Sequence, residues 1–283
     1  MEGRTLCISQ KAYTESIIKK FRQESAKPCL TPLEAGIHLT KADQPQTEHD
    51  KVKMSSKPYR SLVGSLMYLE CGTRPDISIA VAQLSRLLEN PGQKHWDAGI
   101  RVVRYLLMTK DVGITYDGCQ GTELVAYSDA DWAGSRDDRR SVSGLMLMMR
   151  GAPVMWRSTF QKTVALSSTE AENMALSDCV KEVVWMRLLV KGIGSEQDGG
   201  TVIYEDNQGA MALTKNVGYQ DRTKHIDIRI HFILEKVTSG EVELEYLDTK
   251  NQFADYLTKS SSTKTLRYLM GRSNVGSKLE ISN

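Results

Sequence analysis

Between Thr122 and Leu247 the chain interleaves short β-rich runs with segments of helical period, and this alternation limits the fold more than any other feature. TELVAYSD (122–129) has strand character. SGLMLMM (143–149), PVMWR (153–157) and TVAL (163–166) are short β-rich runs, close enough together for an antiparallel meander. A long helix starts near Ser167. TVIYED (201–206) is a strand, 207–215 a short helix, 226–239 another helix and VELEYL (242–247) a strand, with a last helix from near Asn251. The order β-β-β-α-β-α-α-β-α predicts an α/β fold: a five-stranded mixed sheet, its first three strands antiparallel, flanked by helices.

The first part of the chain has a different period. Tyr59, Leu62, Val63, Leu66 and Met67 recur at helical spacing. Pro75 suits the first turn of a second helix, which carries Ile77, Val81, Leu84 and Leu88 on one face until Asn90-Pro91-Gly92 breaks it. A third helix buries Trp96, Val103, Leu106 and Leu107. Upstream, AYTESIIKKF is an amphipathic helix, and 34–57 is polar with almost no large apolar residue, which reads as a linker. A chain of 283 residues suits about two domains. The expected organisation is 1–33, a polar linker 34–57, a helical module 58–117, the sheet domain 118–262 and a polar tail 263–283.

Charge and cysteine usage exclude several classes. With 37 basic against 35 acidic side chains the net charge is +2, so any contact with nucleic acid must be local. No run of 18 apolar residues exists and the first ten residues lack an apolar core, so neither a membrane span nor a secretory signal is expected. Five scattered cysteines without a C-x-x-C argue against a disulfide framework or a zinc site and for a reducing compartment. The expected location is therefore intracellular, cytoplasmic or nuclear.

Four acids stand where chemistry is plausible. Asp129 ends the strand in YSDADWAG, and Asp131, two positions on, points the same way if the strand continues; a cation site and a turn aspartate are both open readings. Ser167-x-x-Glu170 has the pattern of a capping box, which gives Glu170 a structural task. At about 100° per residue Glu172 aligns with Leu176, Cys179 and Val183, whereas Glu170 aligns with Ser177 and Lys181. Glu172 is thus predicted to face the sheet and Glu170 the solvent. Asp206 ends TVIYED, and Asp255 lies near the start of the last helix. Each alone has an ordinary structural explanation. Brought together by one sheet they would repel one another, and an all-oxygen set suits Mg²⁺ or Mn²⁺ better than zinc.

YSDADWAG, DDRRSVSG, VALSSTEAE, YEDNQGA, TKHIDIRIHFI and LDTKNQFADYLTK, in this order over about 120–259, resemble the ribonuclease H domain of copia-type retrotransposon polyproteins. Upstream, ISQKAYTESIIKKF resembles the end of the reverse transcriptase region, and YRSLVGSLMYL, GTRPDI, LSRLLENPGQKHW and VVRYL resemble the helical connection between polymerase and nuclease. The resemblance implies a ribonuclease H-like fold and metal-dependent endonucleolytic hydrolysis of the RNA strand of an RNA–DNA hybrid. It places Asp129, Glu172, Asp206 and Asp255 as the acids that hold paired Mg²⁺, with Mn²⁺ as a substitute. The 2′-hydroxyl of RNA would direct strand choice. Arg139, Arg140, Lys162, Arg222 and Lys224 are candidates for phosphate contacts.

The sequence also departs from the family pattern. No Y-x-D-D is present, so DNA polymerisation is not expected, and the missing polymerase portion of the polyprotein is an expected partner. The loop LDTKNQF lacks the histidine that many ribonuclease H domains carry before the last acid. A second reading therefore stays open: a catalytically silent remnant that folds and at most binds nucleic acid.

Overall fold

The computed structural model describes residues 5–214 and 224–277, except the side chains of 224–226. In chain order come β1 (Leu6–Ile8), α1 (Lys11–Lys20), α2 (Glu48–Ser55), α3 (Tyr59–Thr73), α4 (Ser78–Ser85), α5 (Gln93–Met108) and β2 (Gly113–Tyr116). There follow β3 (Val125–Asp131), β4 (Val142–Met149), β5 (Ala152–Phe160), α6 (Ser168–Gly192), β6 (Thr201–Glu205), α7 (Gln208–Leu213), α8 (Lys224–Thr238) and β7 (Val242–Tyr246). The last elements are α9 (Asp255–Thr258), α10 (Thr263–Arg272) and β8 (Val275–Gly276), with short 3-10 turns at Lys41–Asp43, Pro75–Ile77 and Thr249–Asn251.

The chain divides into two compact units. One comprises Tyr116–Gly134 and Arg139–Thr258; the other comprises Leu6–Thr115, Ser135–Asp138 and, of the described residues, 259–277. The first holds the five-stranded sheet, in the order β5-β4-β3-β6-β7. β3, β4 and β5 pair antiparallel, while β6 runs parallel to both β3 and β7. α6 lays Leu176, Cys179, Val180 and Val183 on Ala126, Leu145 and Ile203, all excluded from water. Its first turns carry Ala171, Met174 and Ala175 against Ala130 and Ala165, and these small side chains bring the helix start close to the end of the sheet.

The second unit is mainly helical, with a sheet β1-β2-β8 in which β2 and β8 are antiparallel. Leu62, Leu66 and Leu69 of α3 are buried together with Leu84 of α4 and Val102 and Leu106 of α5, and α3 contacts both helices. Between the helices lies a buried polar knot. Arg74 Nε and Nη2 donate to the two carboxylate oxygens of Asp76 at 2.8 and 2.7 Å, Nη1 donates to the Thr109 carbonyl, and Tyr105 donates its hydroxyl to Asp76 at 2.8 Å.

Three local expectations change. Phe160 ends one continuous β5, and TVAL (163–166) is loop. The 34–57 stretch, expected as a linker, carries the first 3-10 turn and α2. The turn is anchored on α5: the buried His95 ring takes the Gly92 amide on Nδ1 and sets Nε2 3.0 Å from the Thr40 carbonyl. Burial lowers the pKa of His95, which favours the neutral ring that can accept as well as donate. Residues 263–272, expected as polar tail, form α10, whose Leu266, Leu269 and Met270 are buried. A helix that is apolar on one narrow stripe has a polar average composition, which conceals it.

Candidate metal centre

β3 and β6 are parallel neighbours with Tyr127 opposite Tyr204. Asp129 and Asp206 each lie two residues further on, so the register that aligns the tyrosines sets both acids at one level, and the even offset holds β3's acid on the tyrosine face. α6 supplies Glu172 from its second turn. Asp129 is 2% exposed and Glu172 6%, while Asp206 is half-buried. One carboxylate oxygen from each lies within 4.8 Å of the others, a cluster of three among the described residues. Asp255 does not join it. It is buried at the first position of α9.

Glu170, predicted to face solvent, is buried. Its amide takes the Ser167 hydroxyl as acceptor at 3.2 Å, and its Oε2 accepts from the Leu166 amide at 2.9 Å. The carboxylate folds back on the helix start to satisfy a free amide there, so a helical-wheel projection does not describe where it goes. Asp131 ends β3, and a Cβ added at Gly134 would collide with its carboxylate, so Asp131 fills the turn. Arg139, Arg140 and Lys162 are exposed. Arg222 and the side chain of Lys224 lie outside the described residues.

The segment after β7 braces the acids. Thr258 donates its hydroxyl to Asp129 Oδ2, and Thr249 donates to Asp206 Oδ2 at 2.6 Å. Fully buried Gln252 donates both amide hydrogens, to the Ser128 carbonyl at 3.0 Å and the Tyr204 carbonyl at 3.3 Å, and its Oε1 accepts from the Ala254 amide. One side chain thus ties this segment to both strands that deliver aspartates. Sequence reasoning passed over Gln252, Thr249 and Thr258, because polar residues in a loop and in elements this short give no periodic signal.

Gly144 makes this approach feasible. It sits directly opposite Asp129 on β4, and a Cβ there would lie 2.6 Å from Thr258 Cγ2 and 2.9 Å from the Ala254 carbonyl. Gly144→Ala should therefore push α9 from the sheet and destabilise this unit by about 1–3 kcal/mol, as overpacking does. Urea unfolding followed by tryptophan fluorescence would measure it. A change of only a few tenths of a kcal/mol would mean that α9 yields freely.

Three clustered carboxylates repel one another, and a hard divalent cation is the remedy their all-oxygen donor set fits. Neighbouring Glu205 is fully buried at the end of β6. Burial pushes its carboxyl well above the ordinary range; the Asn207 amide, which donates to Oε1, works against this, and the nearby charges of Asp206 and Asp129 add to it.

A Pol polyprotein of Nicotiana tabacum, that of transposon TNT 1-94, is 41% identical over 257 residues, which is 91% of this chain. The chain belongs to the Pol polyproteins of copia-type retrotransposons. This Pol segment spans 19% of that polyprotein's length. A protein of Plasmopara viticola named secreted RxLR effector protein 161 is 49% identical to it over 133 residues, which is 47% of the segment and 94% of that protein. Models of known protein families give no match. Among solved structures, LC11-RNase H1, isolated from compost, superposes with a TM-score of 0.36 at 13% identity, over 53% of the Pol segment and 99% of that chain. The assignment to a ribonuclease H-like fold rests on the strand order and directions of the five-stranded sheet. No helix among the described residues is long and apolar enough to cross a membrane.

Proposed function

We propose that this Pol segment is a divalent-metal-dependent ribonuclease H, which hydrolyses the RNA strand of RNA–DNA hybrids. The observation that carries the reading is the convergence of Asp129, Glu172 and Asp206, from three separate parts of the chain, within 4.8 Å. Crowding three carboxylates within 4.8 Å of one another, two of them buried, is costly, and a cluster of this kind points to a site rather than to packing.

In this reading Asp129, Glu172 and Asp206 hold the cation, and Asp255, outside that trio at the start of α9, is the fourth acid that the resemblance adds. A bound Mg²⁺ would supply the positive charge that acidifies an attacking water and stabilises the leaving 3′-oxygen. Thr258, Thr249 and Gln252 keep Asp129 and Asp206 from swinging apart. That bracing limits the rearrangement needed when the cation and a phosphate arrive. Arg139, Arg140 and Lys162 contribute phosphate contacts. The polymerase portion of the polyprotein is the proposed partner.

The test is cleavage of a labelled RNA–DNA hybrid by the 283-residue chain in Mg²⁺, with the same RNA single-stranded and as an RNA duplex for comparison. The expected result is cleavage of the RNA strand in the hybrid alone, lost on chelation and restored by Mg²⁺ or Mn²⁺. A chain that binds hybrid and leaves it intact in both metals would be the silent remnant instead.

A further inference from the structure

Asp131, Val142 and Phe160 form one row across β3, β4 and β5, so the β3–β4 loop and the β5–α6 loop leave the sheet at the same end. They carry an unusual mixture. Trp132, immediately after β3, is 50% exposed, and across from it Val164 is 45% and Leu166 75% exposed. Exposed Arg139, Arg140 and Lys162 lie on the same two loops. Asp129, in the acid cluster, stands two rows in along β3, on the same side of the pleat as Asp131.

Trp132 is also held. Its Nε1 donates to the Ala165 carbonyl at 3.2 Å, which ties the two loops together through the indole. The turn beneath it is specific as well: Ala133 takes a left-handed φ of 53°, and its amide donates to Ser141 Oγ at 3.0 Å. An indole fixed in place yet half in water is a preorganised contact surface, since little side-chain entropy remains to be lost when something covers it. Its neighbours say what that something is. Cations on the same two loops as an exposed aromatic, at the end of the sheet that carries an acid cluster suited to a cation and a phosphate, combine the backbone neutralisation and the stacking surface by which proteins hold nucleic acid strands without reading sequence.

We propose that Trp132 is a substrate-binding residue that stacks on a nucleoside of the strand entering the acid cluster, flanked by Val164 and Leu166. The proposal rests on the ribonuclease H reading and adds to it a specific non-ionic contact. Stacking of this kind is sequence-tolerant, because every base presents a π face.

The experiment measures hybrid affinity in the Asp129→Asn background, where nothing is cut, for Trp132, Trp132→Phe, Trp132→Leu and Trp132→Ala, across a range of salt. Trp132→Ala should weaken binding by about 5- to 150-fold, the range one stacked base contributes. Trp132→Phe should retain most of the affinity, with Trp132→Leu between the two. The loss should stay constant with salt, whereas the effect of Lys162→Ala, a phosphate contact, should shrink as salt rises. With Asp129 intact, Trp132→Ala should raise KM by a similar factor and leave kcat within a few-fold.

Cleavage and KM unchanged in Trp132→Ala would overturn this proposal and leave the nuclease reading standing. A parent chain that neither binds nor cuts hybrid would overturn both. Hybrid binding unaffected while Trp132→Ala abolishes self-association would show that protein, not nucleic acid, covers the indole. Should Trp132→Ala lower the melting temperature, the Phe and Leu variants, which retain bulk, decide the matter: equal affinity in both would overturn stacking.

Discussion

Asp129→Asn and Glu172→Gln should each abolish cleavage of the RNA strand while leaving the protein folded, and in the absence of metal slightly more stable than the parent. Residues that merely support a metal ligand already cost 10- to 100-fold when changed, so a ligand itself should cost at least about a hundredfold. The gain in stability has a separate cause. Each substitution keeps the shape of the side chain and deletes one negative charge from a group whose oxygens stand within 4.8 Å of one another. Loss of activity with gain of stability is the signature of a site maintained at a cost to the fold. The checks are a gel assay in Mg²⁺ and thermal melts with and without the cation. The parent should gain melting temperature on adding Mg²⁺, because a ligand that binds only the folded state stabilises it. The two variants should gain little. Cleavage that persists in both would mean that these acids are not the site.

The largest expected effect on stability lies in the helical unit. Arg74 and Asp76 are 1% exposed, and the fork of one faces the carboxylate of the other. Burial works against the guanidinium charge, but Asp76 and then Tyr105 outweigh it, so the Arg74 pKa is raised. Burial and then Asp76 also push the Tyr105 hydroxyl well above its ordinary range, leaving it a neutral donor. Arg74→Met would strand the Asp76 carboxylate with the Tyr105 hydroxyl as its remaining donor in this knot, and should cost about 3–5 kcal/mol. Removing both charges together, as Arg74→Met with Asp76→Leu, should recover much of that loss, because an apolar pair has no charge to desolvate. Hydrogen exchange at the amides of α3 and α5 reads this unit by itself, which matters in a chain of two compact units. Equal protection in the parent and Arg74→Met would show that the knot contributes nothing to stability.

Much of the architecture was legible because it is periodic. The switch from helical spacing over 59–108 to closely spaced β runs marks the change of unit, and the crossover through α6 follows from the order of elements. Glu172 was legible for the same reason: it shares a helical face with Leu176, Cys179 and Val183, and that face is buried. Glu170 was not, since a residue at a helix start answers to unpaired amides rather than to the wheel. α10 was hidden by its polar composition, and TVAL by its β-branched content without a partner strand.

By itself the sequence determined the order of the main strands and helices of the sheet unit and that Glu172 faces inward, because these depend on residues within a turn or two of each other. Only the tertiary structure decided which acids meet. Asp129, Glu172 and Asp206 cluster while Asp255 stands outside, and that outcome depends on strand register, on the absence of a Cβ at Gly144 and on a Gln252 side chain that reaches a carbonyl 124 positions away. Contacts between residues so far apart leave no local pattern, so no reading along the chain could have supplied them.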